Sequence, residues 1–139
     1  MQPILENLST TTGRVLLGLY FIIPGITKIT GYEGTSQYMA DHGMSFIPFF
    51  LILTIIIQIG GGLSLVAGFQ TKVIAFVLAG LTLVISMVMH DFWTMPAGEL
   101  QTGHETQNFV KNMAIMAGLL AVAGLGGGAW SLDRKLAKS

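Results

Sequence analysis

Cysteine is absent from this chain of 139 residues. That excludes disulfide redox chemistry, thiolate metal sites and a cysteine nucleophile in this subunit, and it leaves the compartment open. Charge is scarce too: Asp, Glu, Lys and Arg make up 10% of the residues, against about 25% in soluble domains. Such a chain lacks the polar surface to stay dissolved. Its net charge is zero, so nothing points to a nucleic acid, and no basic run resembles a lipid-headgroup patch. The three histidines, His42, His90 and His104, show no H-x-x-x-H spacing, so a metal site has little support. No pair of apolar segments offers two axial histidines at matching depth, which removes haem. No intrinsic cofactor or independent redox centre is expected. The opening MQPILENLSTTTGR has no basic stretch before the first apolar run and no small-x-small site after it, so it reads as a lead-in and not as a cleavable signal peptide.

What the chain does have is apolar length. Hydrophobic residues make up 52% and mean hydropathy is +0.68. Four spans of about 20 residues would use most of the chain. They fall at 13–29, 46–68, 73–89 and 109–126, within one domain over 1–139. The expected fold is all-α, an integral membrane four-helix bundle running up-down-up-down. Pro24 inside the first span favours a kink, and a kinked membrane helix needs neighbours to satisfy the freed carbonyl. Gln58 is the strongly polar residue near the middle of a span, and it precedes Gly60-Gly61-Gly62, which would let another backbone approach closely. Gln58 is expected to make a hydrogen bond between helices. Ala114 with Gly118 and Ala117 with Ala121 give the fourth span a similar small-residue spacing. The short connection at 69–72 forces antiparallel neighbours.

Basic residues set the orientation. Arg14, Lys72, Arg134, Lys135 and Lys138 lie on the side of the termini and the short turn, whereas the long loops at 30–45 and 94–107 carry mostly acids. The positive-inside rule then places both termini in the cytoplasm and the long loops outside. Lys28, His90, Asp91, Lys111 and Asn112 all fall near the outer interface, where ionisable groups are costly to keep beside lipid.

These residues support two readings. His90-Asp91 with Lys111-Asn112, together with Lys28 and Trp93, would make a polar pocket for a quinone headgroup, walled by Met87, Phe92, Phe109 and Met113. Quinone reduction takes two electrons and two protons, and a histidine beside a carboxylate donates protons near neutral pH. The plainer reading makes them an interhelical clamp that holds spans three and four in register. Interhelical hydrogen bonds of this kind average only about 0.6 kcal/mol, but they set geometry. His104 and Glu105, and His42 with Asp41, are read as solvated loop residues. Arg14 is expected to anchor span one at the headgroups or to point inward, so Arg14 and Gln58 are the intramembrane polar residues.

Gly13-Arg14 with Gly25 and Lys28, the run at 60–68, His90-Asp91-Phe92-Trp93, Phe109-Val110-Lys111-Asn112 and Ser131-Leu132-Asp133 together resemble the DoxX family of small bacterial inner-membrane proteins. The resemblance covers nearly the whole chain in order. It implies a multi-pass inner-membrane location and, from some relatives, a membrane subunit of a quinone-linked oxidoreductase or of an oxidative-stress complex. One departure is Gln58, where the family usually has Glu; an amide cannot handle protons. Implied partners are the lipid bilayer and other membrane subunits or further copies of the chain, with quinone as the possible ligand. The alternative is a non-catalytic anchor or assembly subunit with no small-molecule site.

Overall fold

The computed structural model describes residues 3–137. Lys138, one of the basic residues used for orientation, lies outside them. The helices are α1 (Pro3–Thr30), α2 (Tyr32–Asp41), α3 (Ile47–Ala67), α4 (Thr71–Met89), α5 (Leu100–Leu125) and α6 (Leu132–Ala137), with a 3₁₀ turn at Phe92–Thr94. Four of them, α1, α3, α4 and α5, are long and apolar enough to cross a membrane. This is the expected all-α membrane bundle.

The element ends differ from the hydropathy reading in two places. α1 begins at Pro3 and α5 at Leu100, each about two or more turns before the apolar run starts. Hydropathy marks where lipid begins, whereas a helix continues for as long as its backbone stays paired. The 30–45 connection also folds largely into α2, which caps one end of the bundle. That end is called the loop face below; the other, carrying the termini and the α3–α4 turn, is the terminal face.

α1 packs chiefly on α3, and α4 on α5. Glycine decides the first pairing. A Cβ on Gly18 would lie 2.7 Å from the Gly62 carbonyl oxygen, and one on Gly62 would lie 2.6 Å from that of Gly18. The two backbones therefore touch where any side chain would separate them. One residue before, Gly61 faces Leu78 of α4, whereas Gly60 has nothing within 4 Å. α1 runs unbroken through Pro24, and Gly25 after it is buried against Gln58 and Ile59.

The α3–α4 turn closes through Gly68 at φ 74°, whose N–H bonds to the Leu65 carbonyl while Phe69 N–H reaches that of Ser64. This is a left-handed helix stop that favours glycine. Phe21, Leu65, Ala75, Leu78, Ala79 and Leu119 form the buried core. Most of them lie late in α3 or α5 or early in α4, so the dry core sits toward the terminal face.

Candidate functional site

Beyond that core, toward the loop face, α3 and α4 leave between them a cavity of about 740 Å³, roofed by α2 and flanked by the end of α1. Leu53 and Ile57 of α3 and Leu81 and Val84 of α4 give it apolar walls. Gly80 also lines it, and no atom lies within 4 Å of the place its Cβ would take. Polar groups gather at the loop-face end: Lys28, Tyr38 and His90. Lys28 makes no hydrogen bond or ion pair among the described residues.

His90 is held from behind. Its Nδ1 lies 2.6 Å from Glu105 Oε2, and Glu105 is 3% exposed. The other carboxylate oxygen accepts from the Tyr38 hydroxyl at 2.9 Å and from Gln101 Nε2 at 3.1 Å. A buried carboxylate is costly unless its lone pairs are matched, and three donors match this one. Where Glu105 accepts at this contact, Nδ1 of His90 carries the hydrogen and Nε2 is left for other chemistry. Burial, reinforced by the hydrogen bond to Glu105 and by the charges of Glu105 and Asp91, raises the Tyr38 phenol well above its usual range. Tyr38 therefore remains a donor at any physiological pH.

Glu105 corrects the sequence reading, which took it for a solvated loop residue. It sits inside α5, and its register was legible: Glu105, Asn112 and Leu119 are the buried residues of that helix, at seven-residue spacing. A face of period 3.6 returns close to itself after seven residues. Tyr38 and Gln101 carried no comparable signal.

The other expected site residues divide. Asp91 faces His42, with Oδ1 4.0 Å from Nε2, and His42 Nδ1 lies 2.8 Å from the Tyr38 carbonyl oxygen. His42 is thus tied to the Tyr38 segment and is not simply solvated. Trp93 stacks edge-on with Phe92 and Phe109 at ring separations of 5.4 and 5.5 Å, fastening the 3₁₀ turn to α5. Lys111 lies 5.8 Å over the Tyr20 ring, and Tyr20 donates to Asn112 Oδ1 at 2.9 Å. This second polar group joins α1 to α5 and does not line the cavity. Gln58 is buried but makes no hydrogen bond among the described residues, so the expected interhelical bond is not formed. Arg14 points inward: it is 3% exposed, and its Nη2 donates to the Trp130 carbonyl at 2.9 Å.

The DoxX family model matches residues 9–91, which include Arg14, Lys28, Gln58 and His90. The chain belongs to the DoxX family. It is 38% identical to inner membrane protein YqjF of Escherichia coli K12, over 96% of each chain. Inner membrane protein YphA of the same organism is 34% identical over 88% of this chain and 86% of its own. CatD of Bacillus subtilis, a protein named only provisionally as an oxidoreductase, is 32% identical over 59% of each chain. No solved structure matches. With four candidate spans and these relatives, this DoxX protein is a multi-pass inner-membrane protein.

Proposed function

We propose that this DoxX protein is the membrane subunit of a quinone-linked oxidoreductase and holds a quinone in the loop-face cavity. The observation that carries this reading is the cavity itself: about 740 Å³, apolar along α3 and α4, with Lys28 and His90 at its polar end. That volume lies within the range of small-molecule sites, which pair apolar walls with a few placed polar groups. The isoprenoid part of a quinone suits the walls, and its ring oxygens suit donors from Lys28 and His90. Glu105 orients the imidazole and stabilises it when protonated. Electrons come from a partner subunit, since cysteine ligands are lacking in the chain. The name of CatD adds support at the level of reaction class. The distribution of basic residues supports a cytoplasmic terminal face, with the cavity on the outer side.

A second reading, an assembly subunit without a small-molecule site, is favoured by one observation. Ala114, Ala117 and Ala121 of α5 are exposed, which leaves a smooth small-residue face open to another membrane helix. Gentle solubilisation of the tagged protein, with mass spectrometry of its bound lipids and proteins in one sample, separates the two. Near-stoichiometric quinone supports the first reading. Stable partner subunits without quinone, and no thermal shift on adding a short-chain quinone, would make the chain an assembly protein.

A further inference from the structure

A second recess, of about 640 Å³, opens at the terminal face between α1, the end of α3 and the chain leading into α6. Arg14, Arg134 and Lys135 all line it. The Nε and Nη1 atoms of Arg14 are buried and have no hydrogen-bond partner among the described residues. A guanidinium N–H left free in this way is a charged donor for a phosphate oxygen. The acid whose charge acts on it, Asp133, is already committed. Asp133 Oδ1 accepts the Gln70 N–H at 2.6 Å and Oδ2 the Thr71 N–H at 2.8 Å, although its charge is felt by Arg14. Among the described residues none of the three cations has a carboxylate within ion-pairing distance.

The depth of the recess follows from its apolar neighbours. Trp130, Leu132 and Leu136 are exposed, and the two leucines lie one turn apart on α6 with Arg134 and Lys135 between them. Apolar side chains exposed beside basic ones are the pattern of a segment lying at the headgroup boundary. The sequence scatters these cations over 122 positions, from 14 to 135, and only the folded tail brings them to one recess.

We propose that this recess binds a phosphate group, carried by an anionic phospholipid of the leaflet at the terminal face, with Arg14, Arg134 and Lys135 as its cations. The site is independent of the quinone reading. The test uses the full chain in neutral detergent: native mass spectrometry titrates phosphatidylglycerol and phosphatidylcholine, and thermal shift compares phosphatidylglycerol with inorganic phosphate. Phosphatidylglycerol should bind roughly tenfold more tightly than phosphatidylcholine, and the exposed double variant Arg134→Gln/Lys135→Gln should lose roughly that factor. Lys72→Gln, a charge change elsewhere on the same face, should leave the affinity within about twofold. Equal retention of both lipids, no loss in the double variant, or an equal loss in Lys72→Gln overturns the proposal. Inorganic phosphate stabilising the wild type as much as phosphatidylglycerol, and not the double variant, overturns the lipid as carrier and leaves a soluble phosphate.

Discussion

Glu105 and His90 meet at 2.6 Å across the junction of α4 and α5, and the carboxylate is nearly sealed from solvent. One residue faces the cavity and the other stands behind it. The pair joins the two loops that the sequence separates into a single hydrogen-bonded group with Tyr38 of α2.

Glu105→Ala should therefore cost about 1.5–3 kcal/mol, because hydrogen bonds to a charged group are lost and their donors are left behind. Glu105→Gln should cost less, since an amide oxygen still accepts from Tyr38. Thermal unfolding in detergent checks both; equal stability of Glu105→Ala and wild type would contradict the packing described.

Tyr38 also predicts an alkaline limit. Its folded phenol ionises above its ordinary value of about 10, chiefly through burial and then through Glu105. A raised folded value means stability that is complete below about pH 10 and is lost as the pH rises toward the folded value. Tyr38→Phe should flatten that alkaline decline. If both proteins decline alike, the phenol is not the group responsible.

Asp133 predicts the opposite limb at the terminal face. Burial pushes its carboxyl up, but hydrogen bonds from Thr71 and the Gln70 N–H, with the charge of Arg14, outweigh that and leave it lowered. Its contribution is therefore present above about pH 4 and is lost as the pH falls through the folded value. Because its carboxylate caps the start of α4, Asp133→Ala should cost about 1 kcal/mol at neutral pH and remove this acid-dependent part. Stability measured from pH 3 to 7 checks the sign.

Gly60 and Gly62, two residues apart, should answer alanine differently. Gly62→Ala forces a Cβ onto the Gly18 carbonyl and should cost about 1–3 kcal/mol, whereas Gly60→Ala meets nothing and should be neutral or stabilising. Similar losses in both would mean that α1 and α3 are not in backbone contact at that point.

Gly80→Leu and Lys111→Ala separate the cavity from the second polar group. Leucine at 80 should grow into open space, keep the fold and lower quinone retention about tenfold or more. Lys111→Ala should leave retention unchanged while losing about 0.5–1 kcal/mol of cation–π contact with Tyr20. Quinone retention that follows Lys111 instead of Gly80 would move the site away from the cavity.

The chain by itself determined that this is a four-span membrane protein, because long apolar runs with 10% charge admit no other solvent. It determined the family as well, through the residues around Arg14, Lys28 and His90. Which polar residues meet was decided only by the tertiary structure, because hydropathy says how deep a residue lies and not which way its helix is turned. Lys28 and His90 share a cavity, while Lys111 and Asn112, near the same interface by sequence, turn to Tyr20. Glu105 looked like a loop residue because a polar stretch resembles a loop until helical register is known; packing of α5 against α4 made it the buried centre of the group. Arg14 and the tail were separated by more than a hundred residues, and only the closure of α6 over the α3–α4 turn brought them together.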